Sequence, residues 1–310
     1  MKKKICAGTY TGKTSEGIYS FRFEDGVLSD VQLFCGIGNP KYLSFADGRL
    51  LSVFDNADGA GTAILSAEGE VLDSVIYEKE TSCYITADGD EIFTANFHAG
   101  TVTKLKKDGD RLTFVRKKEI RKLAGCHQVL FADDRILVPC LEIDKVIILD
   151  RDLEQTGEIC FEKGTGPRHG ILTKDRKYLY LGSELSNELF VIRMEDLQIL
   201  HTVSVLGEDG RYGEGGAAVR MSADERFVYV STRGRDVVSV IEMNDHEPRF
   251  VQKTSCGGEH PRDFILLDGY LLSANRFTNS VTCFRLNEDG TVGEMTSSVS
   301  VPEAVSLQTI

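Results

Sequence analysis

Hydrophobic residues in this chain fall in short runs, about four to eight residues long, that either alternate with polar residues or stay apolar throughout. Phe227-Val-Tyr-Val-Ser231 and Val237-Val-Ser-Val-Ile241 are typical. Runs of this length that favour Val, Ile, Tyr and Phe predict β-strands, and no stretch carries the apolar spacing of a long amphipathic helix. The runs come in pairs around a turn. Tyr42-Leu-Ser-Phe-Ala-Asp47-Gly48-Arg-Leu-Leu-Ser-Val53 is the first clear copy, with Asp47-Gly48 reversing the chain. Similar turns follow at Asp88-Gly89, Asp133-Asp134, Asp175-Arg176, Ala223-Asp224 and Asp268-Gly269. Consecutive turns stand roughly 40 to 50 residues apart, the span of one four-stranded propeller blade. Each copy then closes with a further turn, such as Lys107-Asp-Gly109 or Asn287-Glu-Asp-Gly290, before a more polar outer strand.

Six complete copies leave over residues 1–35, which read as three strands without the strand that should precede them. Ala304-Val-Ser-Leu-Gln-Thr-Ile310 stands where a new blade's innermost strand would begin. Pairing it with Lys4-Ile-Cys-Ala-Gly8 would complete a seventh blade and hide edges that otherwise template aggregation. The expected fold is therefore all-β: a seven-bladed β-propeller of four-stranded antiparallel blades, the ring closed by the C-terminal strand joining the N-terminal blade. Residues 1–310 are expected to form one domain, since no Pro- or Ser-rich linker interrupts the pattern.

Composition narrows the function. With 48 acidic against 36 basic side chains the formal charge is -12, which disfavours nucleic acid and anionic membranes as partners. Lys2, Lys3 and Lys4 are followed by the small, polar stretch Gly8 to Ser15, so no export signal is read. No window reaches the roughly eighteen unbroken apolar residues of a membrane helix, and a cytoplasmic location is expected. Eight cysteines without a CxxC pair in a long chain are read as reduced thiols rather than a disulfide framework or a zinc site. Cys6, Cys35, Cys140, Cys160 and Cys283 lie in strand-like runs, where a thiol acts as a small hydrophobe. Nothing in the sequence sets the oligomeric state.

A propeller supports enzymes and passive binding platforms alike, so the chemistry has to be found in residues that converge on the central channel. Two rings of non-apolar side chains recur at equivalent places. The first lies at the start of each innermost strand, where Pro40-Lys41, Pro167-Arg168 and Pro261-Arg262 repeat a proline followed by a cation. Proline fixes the backbone there and aims the next side chain reproducibly. His127 is the matching residue of its blade: it precedes Asp134 by the same step that separates Arg168 from Asp175. The second ring lies three residues before Gly100, Asp144, Asn187, Asp236 and Asn279, and holds Phe97, Leu141, Glu184, Arg233 and Arg276. Several cations aimed at one axis repel one another unless a carboxylate or a bound anion compensates them, and arginine's planar fork suits phosphate or carboxylate. His98, His169 and His260 stand near the rings, whereas His201 and His246 fall outside them and are expected in solvent. Gly164-Thr-Gly166 and Gly213-Glu-Gly-Gly216 lack the lysine of a phosphate-binding loop, and no Gly-x-Ser-x-Gly elbow is present.

These residues carry a resemblance. Ala7-Gly-Thr-Tyr-Thr11, Gly-Cys-His127 followed by Leu-Val-Pro139, Gly166-Pro-Arg-His169, Ser183-Glu-Leu-Ser186, Ser231-Thr-Arg-Gly234 and Pro261-Arg-Asp-Phe264 run through the chain in the order of the lactonase family of seven-bladed propellers, which it resembles. The resemblance implies lactone hydrolysis, in bacteria usually of 6-phosphogluconolactone, while a fungal branch of the family acts on carboxymuconate. It also implies a catalytic group of His127, Arg168, Glu184 and Arg233, all four of which belong to the rings above. The sequence departs from the family at Asn96-Phe97-His98, where an Asn-Tyr stretch is usual, and at Thr232, where asparagine is usual. Hydrolysis of a lactone needs an activated water and a donor for the developing oxyanion. Glu184 or His127 is the expected base, with Arg168 and Arg233 on the phosphate or oxyanion. Lys41, His98, His169, His260, Arg262 and Arg276 are expected as further substrate contacts. No metal or other cofactor is called for, because Glu184 alone provides no carboxylate cluster for calcium. The competing readings are a muconate-type cycloisomerase using the same residues on a dicarboxylate, and a propeller that only binds.

Overall fold

The structure, a computed structural model, describes residues 2–209 and 215–310. Its strands form seven four-stranded antiparallel sheets, each numbered here as a blade from the N-terminus. The innermost strands are Ala304–Thr309, Leu43–Ala46, Tyr84–Asp88, Leu130–Ala132, Pro167–Leu172, Gly215–Met221 and Pro261–Leu267, in blades 1 to 7. Blades 2 to 7 are simple meanders, as the repeat predicts. Blade 1 is composite. Its inner strand Ala304–Thr309 pairs with Lys3–Thr9, Ile5 opposite Thr309 and Ala7 opposite Leu307, and Ile310 N–H donates to Lys4 O at 3.0 Å. The C-terminus therefore closes the ring on the N-terminal strand as expected.

The burial pattern explains why the runs differ in character. The second strand of each blade is covered on both faces, as in Arg49–Asn56 and Tyr178–Ser183, and reads as continuously apolar. Outer strands such as Arg111–Glu119 expose most of their residues. Between each pair of neighbouring blades lies one apolar cluster, for example Phe93, Val102, Val129 and Ile147 between blades 3 and 4, or Phe21, Phe23, Leu272 and Val281 across the seam between blades 1 and 7. Each fully buried side chain of this kind contributes roughly 1.5–3 kcal/mol.

The hairpin from inner to second strand turns on residues with positive φ, among them Asp47 (49°), Gly48 (74°), Asp133 (57°), Arg176 (58°) and Asp268 (49°). In blade 6 that residue is Glu225 (62°), one position beyond the expected Ala223-Asp224. Two expectations are corrected. Cys160 lies on a strand but is exposed, because an outer strand has solvent on one side. His246 is half-buried instead of solvated: its ring stacks on Tyr178 with centroids 3.6 Å apart, and its Nδ1 meets Tyr180 Oη at 2.7 Å. Gly164 and Gly166 belong to a loop, their N–H groups donating to Asp144 Oδ2 and Oδ1. Gly213 and Glu214 of the second glycine motif lie outside the described residues.

Candidate active site

The inner strands begin with a device that aims their first side chains. In blade 5, Pro167 pairs with Ser183 and His169 with Gly182, so Arg168 is the extra residue of a β-bulge. Arg262 holds the same place in blade 7, between Pro261 opposite Asn275 and Asp263 opposite Ala274. A bulge re-aims one side chain out of the strand's alternation, and proline, having no N–H to lose, tolerates it. Just before the bulge the backbone is left-handed, at Gly166 (φ 63°) and His260 (62°), and equally at Asn39 (43°), Gly125 (73°) and Glu303 (49°). Lys41, His127, Arg168 and Arg262 each stand two residues after such a position. The second ring is set by a left-handed residue as well: Gly100, Asp144, Asn187, Asp236 and Asn279 all have positive φ.

The two rings meet in one cavity of about 210 Å³, walled by Tyr10, Lys41, Thr81, Cys83, Phe97, His98, His127, Glu184, Arg233 and Arg262. At its centre Glu184 Oε2 accepts from Arg168 Nε at 2.8 Å and pairs with Arg233 Nη2 at 2.7 Å. Arg168 also donates from Nη1 to Ala217 O at 2.7 Å, and Arg233 from Nε to Gly215 O at 3.1 Å. Arg168 is 1% exposed. Burial, together with the charge of Arg233, pushes its pKa down to about 9 against the pull of Glu184. Burial alone would raise Glu184, but the charges of Arg168 and Arg233 and the hydrogen bond from Arg233 outweigh it and hold the carboxyl below its ordinary value. The clamp is asymmetric, since one carboxylate serves two guanidiniums.

His127 is buried, and its Nδ1 meets His169 Nε2 at 3.1 Å. Burial, then the positive charge of Arg168, pushes both imidazoles well below their usual range. His169, expected as a substrate contact, is itself 2% exposed, stands behind His127, edge-on to Tyr42 and Tyr84, and is not among the residues walling the cavity. His260 packs against Phe277 with the rings tilted, and burial with the charges of Arg233, Arg262 and Arg276 lowers its pKa to about 3. Arg276 is paired with Glu303 at 2.9 Å, its guanidinium 4.2 Å from the Tyr10 ring centroid. Neither is among the residues walling the cavity.

Tyr10 was given no role by the ring argument, yet three cations surround it: Lys41 Nζ at 5.5 Å and Arg262 at 5.6 Å from its ring centroid, besides Arg276. It occupies the second-ring place of blade 1, since its N–H donates to Glu303 O as Glu184 N–H does to Gly166 O. Asp55 occupies that place in blade 2, its N–H donating to Gly38 O, and it is held by Asn39 Nδ2 and the Thr81 hydroxyl. Cys83 corresponds to His127, their N–H groups donating to Ala95 O and Pro139 O. Burial pushes the Cys83 thiol up to about 11 despite Arg262, Arg168 and Lys41.

Beneath the cavity the channel is blocked. The rings of Tyr42 and Tyr84 pack tilted at 36° with centroids 4.5 Å apart, Arg220 lies beside the Tyr42 hydroxyl and pairs with the buried Asp263, and Asp263 Oδ2 accepts from Leu307 N–H. Side chains from blades 2, 3, 6 and 7 and the backbone N–H of Leu307 in blade 1 thus meet across the axis beneath the cavity. No group of three or more His, Cys, Asp or Glu among the described residues is arranged to hold a metal ion, and no described helix is long and apolar enough to cross a membrane.

Comparison with known proteins places this architecture. The model of the family described as "Lactonase, 7-bladed beta-propeller" matches residues 4–309. The chain is 31% identical to the 6-phosphogluconolactonase of Bacillus subtilis, over 97% of this chain and 96% of that one. A crystal structure of a protein from Lactobacillus plantarum superimposes with a TM-score of 0.94 at 28% identity over the whole of both chains. The periplasmic gluconolactonase of Pseudomonas aeruginosa shares the fold, with a TM-score of 0.88 at 24% identity over 100% of this chain and 99% of that one. Blade number, the seam between the termini and the family match over nearly every residue agree: the chain is a member of the lactonase family of seven-bladed β-propellers.

Proposed function

We propose that this protein hydrolyses a phosphorylated sugar lactone, 6-phosphogluconolactone being the substrate that suits the site best, and that it does so in the cytoplasm. The observation that carries the reading is the unequal compensation of the channel cations. Arg168 and Arg233 share Glu184, Arg276 has Glu303, and Arg220 has Asp263. Lys41 and Arg262 have no carboxylate partner among the described residues, and both reach the cavity over the same Tyr10 ring. Two half-buried cations at one end of a small cavity call for an anion, and a phosphate fits. The volume of about 210 Å³ lies below the roughly 300–1,000 Å³ of drug-sized ligand sites, which suits one monosaccharide. The eight cysteines, all free thiols, fit a reducing compartment.

With the phosphate on Lys41 and Arg262, the lactone carbonyl lies toward Glu184, His127 and Arg168. Water adds to the carbonyl carbon while Glu184 or His127 takes its proton. The carbonyl electrons move onto oxygen, where a guanidinium or imidazole N–H receives them. Collapse expels the ring oxygen, which regains a proton and becomes the hydroxyl of the open acid. A dicarboxylate such as muconate needs two uncompensated cation pairs, and Glu184 already neutralises one; this favours the hydrolase over the cycloisomerase. The test is loss of 6-phosphogluconolactone followed against its spontaneous hydrolysis, with the unphosphorylated lactone and a muconolactone as comparisons. Equal rates with and without protein reject the reading.

A further inference from the structure

We infer that His169 fixes the tautomer of His127 so that the His127 Nε2–H points into the cavity as a hydrogen-bond donor, which makes His169 a positioning residue and leaves Glu184 as the base. The role assigned to His127 in the reaction rests on the hydrolase reading above; the tautomer does not.

The inference starts from a count of protons. Both imidazoles are neutral, being buried beside Arg168 and Arg262, with Arg220 also near His169, so each carries one N–H. The contact of His127 Nδ1 with His169 Nε2 at 3.1 Å needs one donor and one acceptor, and two arrangements satisfy it. In the first, His127 donates from Nδ1 and His169 carries its proton on Nδ1. In the second, His169 donates from Nε2, and His127 carries its proton on Nε2.

The far nitrogen of His169 decides between them. His169 Nδ1 is buried with no hydrogen-bond partner. The first arrangement places an N–H there, the second a bare lone pair. An orphaned buried N–H is the rarer and costlier defect. The field acts in the same direction, since Arg168, Arg220, Arg262 and Arg233 all place positive charge near His169, and a lone pair is favoured there over a partial positive N–H. The second arrangement follows. His127 Nε2 is the ring nitrogen left for the cavity that His127 helps to wall, and it carries the proton. A neutral imidazole presenting an N–H stabilises an oxyanion without giving up its proton. It has no lone pair free to accept one from water. The proton released as water attacks then goes to the Glu184 carboxylate, and Glu184 returns it to the departing ring oxygen, so the group ends as it began.

The deciding measurement is a long-range proton–nitrogen NMR correlation of the histidine rings in the full, substrate-free chain, with His127 assigned by its loss in His127→Gln. The expected result is protonated Nε2 and bare Nδ1 in His127, unchanged from pH 8 down to about 5. A proton on Nδ1 of His127, or an imidazolium in that range, overturns the inference. The kinetic companion compares His169→Phe with His169→Gln. Phe removes the donor while keeping a ring of similar size, and lowers kcat roughly tenfold with KM little changed, the worth of one hydrogen bond. Gln can donate from its amide and restores most of the rate; a Gln variant no better than Phe counts against the donor role. A lactone assay that fails while the tautomer is as stated rejects the hydrolase reading and leaves the His169–His127 assignment standing.

Discussion

The sharpest consequence of the clamp concerns Glu184→Gln, which keeps the side chain's shape and removes its charge. In the native protein this carboxylate is 2.8 Å from Arg168 Nε and 2.7 Å from Arg233 Nη2. Arg168, almost wholly buried, would keep the Ala217 carbonyl and a neutral amide oxygen as hydrogen-bond acceptors but lose its compensating charge. Removing one partner of a buried ion pair costs about 3–5 kcal/mol, because the other charge stays buried without compensation. An unfolding entropy of roughly 2.1 cal/mol/K per residue in a chain of 310 residues converts each kcal/mol into about 1.5 °C of Tm. The variant should therefore melt about 5–8 °C below the native protein at pH 7 and low salt, by circular dichroism or calorimetry. Inorganic phosphate should restore part of the loss, since it supplies an anion to the same two guanidiniums. Arg168→Met, by contrast, leaves Glu184 with Arg233 and strands no charge, so its Tm should fall less. A Glu184→Gln protein as stable as the native one, or more stable than Arg168→Met, would refute the electrostatic account of the site.

Three further outcomes follow. Arg262→Ala and Lys41→Ala should each raise KM for the phosphorylated lactone roughly 10- to 100-fold, a charge-assisted hydrogen bond being worth about 1.5–3 kcal/mol, and should leave KM for the unphosphorylated lactone nearly unchanged in the same assay. Because the Glu184 carboxyl sits below its ordinary 4.5, the stability and activity it supplies are complete above that value and are lost only as pH falls through the lower, folded pKa; a rate profile with its acid limb at or above pH 4.5 would contradict this. Deleting residues 304–310 removes the inner strand of blade 1 and uncovers the edge of Lys3–Thr9, so the truncated chain should aggregate or migrate as an oligomer in size-exclusion chromatography.

Much of this architecture was legible in the sequence because it depends on local chemistry repeated at a fixed period. The blade count came from the spacing of the recurring hairpin turns, and the seam from three strands at one end lacking a partner that the other end supplied. The cations of the first ring were legible where a proline precedes them, at Lys41, Arg168 and Arg262. Cys83 fills the same place without proline or charge, and nothing in Thr81-Ser82-Cys83 announces it. Asp55 was missed for a related reason. The second ring was counted back from a left-handed residue, and in blade 2 the hairpin from Asn56 to Gly59 is tighter and has no left-handed residue at Asp58. Tyr10 escaped because its blade is split between the two ends of the chain. The placement of His169 depends on which residue a bulge takes out of register, a property of the paired strand that its own sequence does not carry.

The layer of Tyr42, Tyr84, Arg220 and Asp263 under the cavity gives the channel a floor of side chains. On the hydrolase reading, the product leaves carrying one more negative charge than the molecule that came in. On that reading Lys41 and Arg262 would attract both species, so turnover would depend on their letting go, and the net charge of -12 would draw neither back. Trimming those tyrosines would open the floor at the expense of the rings that flank His169 and, through it, His127.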